Sequence, residues 1–209
     1  PFNNIHTQGK GKGMTGLNTL EEAQDEARTN KTTEPPQQTQ NPPGTVTGMT
    51  PEPDHGETSW VGRDRLGGVR ALVTGGDSGI GRATAIAFAR EGAHVAISCL
   101  SSELADAQRT REIIDIDGRG GCEVFETDPR DEDRARELVD DAASWLGGLD
   151  VLVNNAAPQP GRRENGLEDL TTDAMPAAFD PNPSGTFRVT QQPLAHPDSG
   201  VSPLNVTSI

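Results

Sequence analysis

The first residues whose types and spacing could do chemistry form a glycine-rich segment, Thr74-Gly75-Gly76-Asp77-Ser78-Gly79-Ile80-Gly81. It follows a β-branched run and leads into a helical pattern, the context in which such a segment binds a dinucleotide pyrophosphate. Gly75 can make the tight turn after the strand, Gly79 places no Cβ in the way of a pyrophosphate, and Gly81 allows helix and strand to approach closely. The helix N-terminus then offers N–H groups to the phosphates. The alternative is an ordinary loop with turn glycines.

The elements that must position this segment alternate between strands and helices along the chain. Short buried or β-branched runs predict strands at Val69–Thr74, His94–Ser98, Cys122–Glu126, Leu149–Val153 and Leu204–Thr207. Apolar residues at helical spacing predict helices over residues 79–91, 102–117, 131–146, 168–179 and 185–192. This alternation is typical of βαβ units, so we expect a doubly wound α/β sheet of five parallel strands in the order 3-2-1-4-5.

The apolar spacing also predicts which helix faces are buried. In the first helix the predicted face consists of Ile80, Ala83, Ala87 and Phe88. In the helix over 131–146 it consists of Ala135, Leu138, Val139, Ala142, Trp145 and Leu146. Several prolines lie within or beside the last helices and the last strand, where each removes a backbone donor, so residues 158–209 are expected to fold poorly.

The composition divides the chain into an N-terminal arm and a globular part. Of 16 prolines, seven lie in residues 1–60 and one lies in residues 61–157. The Gln/Pro-rich stretch at 32–44 cannot bury enough apolar area to offset its ordering entropy. Apolar residues make up 32% of the chain and aromatic residues 3%, which also indicates that part of it is not packed. We therefore predict a mostly disordered arm over residues 1–60 and one domain over 61–209.

The charge and the lack of long apolar runs limit the partners. Eighteen Lys and Arg against 32 Asp and Glu give a net charge of −14, which argues against nucleic acid or an anionic membrane surface. No run approaches the roughly 18 apolar residues of a membrane span, and the first residues lack a signal peptide's apolar region. Cys99 and Cys122 lack metal-ligand spacing, so we expect reduced thiols, no metal and a cytoplasmic protein.

Two motifs at the ends of predicted strands carry a family resemblance. The spacing T-G-x-x-x-G-x-G over residues 74–81 is one, and Asn154-Asn155-Ala156-Ala157 directly after the fourth strand is the other. Over residues 66–209 the chain resembles the classical short-chain dehydrogenase/reductase family, and more narrowly the bacterial general-stress-type oxidoreductases within it. The resemblance implies a Rossmann-type domain that binds NADP or NAD, and a full-length form that assembles as a homo-oligomer.

By this resemblance, the candidates for cofactor binding lie on the glycine-rich segment and after the predicted strands. They are Thr74, Gly75, Asp77, Ser78, Gly79, Ile80, Gly81, Arg82, Ser101, Ser102, Asp128, Asn154 and Ala156. The resemblance places Asp128 beside the adenine and residues 154–156 along the cofactor cleft. The alternative for Asp128 is the N-cap of the helix that begins near Pro129.

The choice between NADP and NAD depends on the end of the second strand. A dinucleotide fold that prefers NAD usually places an acid there, on the ribose hydroxyl. Here the strand ends in Ser98-Cys99-Leu100-Ser101-Ser102, without an acid, which favours NADP. Ser101, Ser102 and Arg82 are candidate donors to its 2′-phosphate, and the alternative for Arg82 is an exposed helix residue.

The resemblance also implies a reaction, hydride transfer between the nicotinamide and the carbon of a small carbonyl or alcohol. In the family a Tyr passes the proton, a Lys lowers the pKa of that Tyr, a Ser orients the oxygen and an Asn holds a relay water. Ser208 matches the position of the catalytic Ser. Asn182 matches the Asn, in a segment that departs from the family pattern by the prolines on both sides.

The acid of the family is missing from these residues, because the chain contains no Tyr and its last Lys is Lys31. The family's Y-x-x-x-K would lie beyond Ile209. We therefore interpret the sequence, which begins with Pro1 rather than Met, as part of a longer enzyme. We expect the 209 residues themselves to be inactive. The alternative function is a nucleotide-binding module without catalysis, or a degraded copy.

Overall fold

Five parallel strands form one sheet in the computed structural model, which describes residues 36–40, 44–117, 120–128, 131–156, 186, 189–191 and 200–206. The strands are β1 (Arg70–Thr74), β2 (His94–Cys99), β3 (Cys122–Glu126), β4 (Val151–Asn154) and β5 (Ser202–Asn205). Their order is β3-β2-β1-β4-β5, and all neighbouring pairs are parallel. The predicted doubly wound α/β fold and its strand order are confirmed.

Helices cover both faces of this sheet. They are α1 (Gly79–Arg90), α2 (Leu104–Asp117) and α3 (Glu132–Leu146), and short 3-10 turns lie at Val46–Gly48 and Ser101–Glu103. Because successive strand residues point to opposite faces, the apolar strands serve two cores. Val73 and Ile97 pack with α1 and α2, whereas Leu72 and Ala96 pack with α3. No helix in the described part of the chain has the length and apolar character needed to cross a membrane.

The buried face of α1 differs from the prediction. Ile80 is 63% exposed, whereas Arg82, Ala85, Ile86 and Ala89 are buried. The reason is steric, because the small residues Gly81, Ala85 and Ala89 on this face let the helix lie close to the sheet and to the turn before it. The apolar spacing of the sequence fits two faces of this helix, and only tertiary packing selects between them.

Other elements differ from the prediction mainly at their ends. β5 begins at Ser202, two residues early, because the Ser202 N–H donates to the carbonyl of Asp150 at 2.8 Å. The buried face predicted for α3 is confirmed except at Trp145, which is 42% exposed. Thr186 and residues 189–191 are helical, within the predicted helix 185–192. The helix predicted over 168–179 lies outside the described residues.

An ion pair joins β1 to β4 at the amino edge of the sheet. Arg70 Nε donates to Asp150 Oδ2 at 2.9 Å and Arg70 NH2 donates to Oδ1 at 2.6 Å. Arg70 NH1 also donates to the carbonyl of Gly147 at 2.6 Å. The guanidinium holds the pKa of the Asp150 carboxyl below its ordinary value. The pair therefore fixes the central strands at the edge opposite to the glycine-rich segment.

Residues 44–60 fall in the predicted arm, yet the structure shows them in contact with the helices. Arg90 NH1 donates to the carbonyls of Gly56 and Trp60 at 2.6 and 2.7 Å. The Val46 N–H donates to Asp106 Oδ2 at 3.0 Å, and the Val46 side chain is buried. This stretch is irregular apart from the turn at Val46–Gly48, and side chains of α1 and α2 satisfy some of its backbone groups. The predicted disorder of the arm stays a prediction. Residues 1–35 lie outside the described residues.

Candidate functional site

The glycine-rich segment forms a turn between β1 and α1 at the carboxyl edge of the sheet. Gly75 and Gly79 have φ angles of +64° and +51°, a conformation that favours glycine. A Cβ built on Gly81 would lie 2.0 Å from the carbonyl oxygen of Gly75, so the close approach expected at Gly81 is observed. A Cβ on Gly79 would meet no atom within 4 Å. The turn is thus tightly packed on one side and has open space at Gly79.

The N-terminus of α1 faces this open space without a side-chain cap. Ser78 occupies the N-cap position, but its side chain makes no capping hydrogen bond, and the first turn of the helix contains no acid. The first N–H groups of a helix have no partner within the helix and carry the positive end of its dipole. This end of α1 can therefore bind an anion such as a phosphate.

Thr74 and Asn155 lock the glycine turn to the end of β4. Asn155 Nδ2 donates to the carbonyls of Thr74 and Gly75 at 3.1 and 3.0 Å. Thr74 Oγ1 accepts the N–H groups of Asn155 and Ala156, both at 3.0 Å. Asn155 belongs to the Asn154-Asn155-Ala156-Ala157 motif, but its type and position alone indicate no role. Its contacts with two carbonyls of the turn make it a structural part of the site.

Asn154 points toward β5 rather than toward the glycine turn. Its Nδ2 donates to Thr190 Oγ1 and to Asn205 Oδ1, both at 2.9 Å. Its Oδ1 is buried and has no hydrogen-bond partner among the described residues. Ala156 lies against the turn, with its Cα 3.1 Å from a Cβ built on Gly75. The structure therefore brings Ala156 beside the glycine segment, whereas the side chain of Asn154 is directed to β5.

The end of β2 lies beside the glycine turn, because the Gly76 N–H donates to the carbonyl of Ser98 at 3.1 Å. Ser101 and Ser102 follow in the exposed 3-10 turn. Two acids are near this strand end. Burial raises the pKa of Asp77, and burial together with the charge of Asp77 raises the pKa of Glu103.

Arg82 is buried in the interior and is only 1% exposed. Its NH2 lies 3.5 Å from Glu57 Oε1, a residue of the segment predicted to be a disordered arm. The alternative of an exposed helix residue is therefore wrong. The role of Arg82 as a donor to a 2′-phosphate stays a prediction. The burial of its side chain disfavours that role. No sequence signal pointed to Glu57, because the two residues are far apart in the chain.

Asp128 follows β3, and its carbonyl accepts the N–H of Asp131 at 3.1 Å. The N-cap of α3 is Asp131, whose Oδ1 accepts the N–H groups of Asp133 and Arg134, both at 3.1 Å. The N-cap alternative for Asp128 is therefore wrong, because the N-cap lies three residues later, at Asp131. Its predicted place beside an adenine stays a prediction.

Both predicted catalytic residues, Ser208 and Asn182, lie outside the described residues. The part of the site that the structure describes is consequently the nucleotide cradle. A turn with open space at Gly79, an uncapped helix N-terminus and the carboxyl ends of β1, β2 and β4 surround one position at the edge of the sheet. These residues fit the pyrophosphate of a nicotinamide dinucleotide.

Sequence comparisons agree with this geometry. The profile of the family described as "short chain dehydrogenase" matches residues 70–208. Uncharacterized oxidoreductase YhxD of Bacillus subtilis (strain 168) is 43% identical over 174 residues, 83% of this chain and 57% of that protein. General stress protein 39 of the same strain is 37% identical over 175 residues, 83% of this chain and 60% of that protein. The chain thus spans less than two thirds of the length of these curated relatives.

Solved structures give the same result. A short chain dehydrogenase from Burkholderia cenocepacia J2315 in complex with NADP is 39% identical with a TM-score of 0.56, covering 63% of this chain and 52% of that one. A blue fluorescent protein from a metagenomic library in complex with NADPH is 30% identical with a TM-score of 0.58, covering 68% of this chain and 57% of that one. Because the family profile also matches more than half of the sequence, the chain belongs to the short-chain dehydrogenase family.

Proposed function

We propose that this chain is the cofactor-binding part of an NAD(P)-dependent oxidoreductase that acts on a small carbonyl or alcohol. The observation that carries the proposal is the open space at Gly79 in front of the uncapped N-terminus of α1. It lies where β1 separates β2 from β4, the point at which doubly wound sheets bind their ligands.

The residues of the cradle would hold the cofactor by its phosphates. The N–H groups at the start of α1 would donate to the pyrophosphate, while Ala156 and Asp128 would line the cleft at the ends of β4 and β3. Asn155 and Thr74 keep the turn in place through the hydrogen bonds described above. When bound, the nicotinamide ring supplies or accepts the hydride.

NADP is the cofactor that we favour over NAD. Ser101 and Ser102 are exposed after β2 and can donate to a 2′-phosphate. The Burkholderia relative in complex with NADP supports the same choice. Two features oppose the choice of NADP. Glu103 adds negative charge near the end of β2, and the burial of Arg82 removes a cation from the surface. A direct comparison of NADPH and NADH binding tests this choice.

For catalysis, we propose that Ser208 orients the substrate oxygen and that Asn182 holds a relay water. The proton must come from an acid with a matched pKa, and such an acid contributes about 10²–10⁴ in rate. The 209 residues contain no Tyr, and no Lys follows Lys31. We therefore propose that a longer, homo-oligomeric cytoplasmic form carries the Y-x-x-x-K and the turnover, whereas the 209 residues bind cofactor without turnover.

The test measures oxidation or reduction of NAD(P)(H) by absorbance of the reduced nicotinamide, with a panel of aldehydes, ketones and sugar alcohols. We expect no turnover by the 209 residues, turnover by a form extended through a Y-x-x-x-K, and loss of that turnover in Ser208→Ala. Robust turnover by the 209 residues alone would contradict the assignment of the acid. Cofactor binding without turnover by every extended form would instead support a non-catalytic nucleotide-binding module.

A further inference from the structure

Residues 44–66, here called the strap, run from the start of α2 to the end of α1 and on to β1. Near the end of α1, Arg90 binds strap carbonyls, including that of Glu57 at 2.8 Å from NH2. Glu91 Oε2 accepts the N–H groups of Arg63 and Arg65 at 2.9 and 3.2 Å. These contacts attach the strap to the C-terminal end of α1, far from the glycine turn.

A second attachment lies in the first turns of α1, at the buried Arg82. Its Nε and NH1 have no hydrogen-bond partner among the described residues, and its NH2 lies 3.5 Å from Glu57 Oε1. A buried charge is costly unless an opposite charge accompanies it. His55 holds the carboxylate of Glu57, because its backbone N–H donates to Oε2 and its Nδ1 lies 3.3 Å from Oε1. Glu57 is therefore the strap's counter-charge for this guanidinium.

This ion pair sits next to the residues that shape the glycine turn. The Arg82 N–H donates to the carbonyl of Ser78, the N-cap of α1, at 3.0 Å. On the other side of the turn, Thr110 Oγ1 lies 3.5 Å from the carbonyl of Asp77 and 3.1 Å from that of Asp106. Asp106 in turn accepts the N–H of Val46, a residue of the strap. The strap thus contacts both helices that support the turn.

We propose that Glu57 is a positioning residue of the cofactor site, acting through Arg82 on the first turn of α1. Docking of the strap and binding of the dinucleotide then stabilise each other, and residues 44–60 belong to the cofactor-binding domain. The inference rests on the proposed function, since it assumes that the glycine turn binds the dinucleotide. It extends that function to a segment that the composition of the sequence separates from the domain.

The first test compares Glu57→Gln with Glu52→Gln, a change at an exposed acid of the same segment. Titration of the 209-residue chain with NADPH, followed by cofactor fluorescence, gives the two dissociation constants. We expect roughly tenfold weaker binding for Glu57→Gln, within the range typical of coupled sites, and no change for Glu52→Gln. In an Arg82→Met background the effect of Glu57→Gln should shrink, because the charge that needs Glu57 is gone.

The second test uses the reciprocity of coupled sites, because a strap that favours cofactor binding must itself be stabilised by the cofactor. Hydrogen exchange of the amides of residues 44–60 should slow when NADPH saturates the wild-type chain, and slow less in Glu57→Gln. The amides of α3 serve as the internal control. This coupling would not follow from a strap that only adds stability.

The outcomes separate the inference from the function on which it rests. If the folded wild-type chain does not bind NADPH, both are overturned. If it binds NADPH but Glu57→Gln binds equally well, and NADPH does not change the hydrogen exchange of the strap amides, only the inference is overturned. If Glu57→Gln does not fold, both measurements are made instead on the double variant Glu57→Gln/Arg82→Met, in which the buried charge is also removed. That variant must then lose the NADPH protection of the strap, and retained protection overturns the inference.

Discussion

Two glycines have a positive φ and open space where a Cβ would lie, yet only one of them lies in the proposed site. Gly79 and Gly147 have φ angles of +51° and +73°, and a Cβ on either would meet no atom within 4 Å. Gly147 ends α3 near the amino edge of the sheet, where its carbonyl accepts Arg70 NH1. Replacing each by alanine therefore applies a similar kind of strain at opposite edges of one sheet.

The expected stability changes of the two variants are small and equal. The left-handed conformation costs an L-residue roughly 1–2 kcal/mol, and loss of glycine's freedom in the unfolded chain returns about 0.4–1 kcal/mol. Each variant should lose about 1 kcal/mol, which lowers Tm by about 2–4 °C in a chain of this size. The affinities should differ, because only the methyl group at Gly79 occupies space that a pyrophosphate needs. For Gly79→Ala we expect a dissociation constant at least tenfold larger than that of wild type, a loss of about 1.4 kcal/mol in binding free energy.

Thermal unfolding and NADPH fluorescence titration measure the two quantities on the same samples. Gly79→Val extends the series, since its larger side chain should abolish binding in protein that remains folded. Equal affinities for wild type and folded Gly79→Val would refute the assignment of the pyrophosphate site. Equal losses of affinity in Gly79→Ala and Gly147→Ala would show that the loss comes from strain.

Three further predictions concern packing and charge. Glu91 has its pKa lowered from 4.5 to about 2, chiefly by Arg65, so it stabilises the fold above about pH 4.5 and this contribution is lost as the pH falls through 2. The difference in urea midpoint between wild type and Glu91→Gln should therefore be full at pH 7 and vanish near pH 2. Burial raises the pKa of Cys99 and Cys122 to about 12. Because the thiolate is the reactive form, a thiol reagent at about neutral pH should label neither cysteine until the chain is unfolded in urea. Asn155→Ala removes two donors from the carbonyls of the glycine turn and should lower the free energy of unfolding in urea by about 2 kcal/mol. An unchanged urea midpoint would mean that the turn is stable without these hydrogen bonds.

The fold was predictable because its signals are local. The strands β1, β2 and β4 are short apolar runs, the helices follow a 3.6-residue repeat, and the glycine segment marks the turn between β1 and α1. The ends of the elements were less predictable, because hydrogen bonds across the sheet set them. The cap of α3 is an example, since Asp128 and Asp131 are the same residue type and only the backbone path selects Asp131.

The parts of the site that the sequence could not predict depend on contacts between distant residues. The buried Arg82 lies beside Glu57, and no pattern in a Pro-rich segment reveals that one of its acids meets a helix of the domain. The exposure of Ile80 has the same origin, since the packing of α1 selects the face with Gly81 over the more apolar face. Composition predicts poor packing of the arm, but it could not show which stretch the side chains of α1 would bind.

The lock between Thr74 and Asn155 also has a consequence for the timing of synthesis. Its two residues are 81 positions apart, so at about 5–20 residues per second the ribosome needs about 4–16 s to deliver the second after the first. During that interval β1 can pair with β2, but its other edge waits for β4. The nucleotide cradle is therefore completed only after β4 has been synthesised, and until then the open edge of β1 is exposed to wrong pairing.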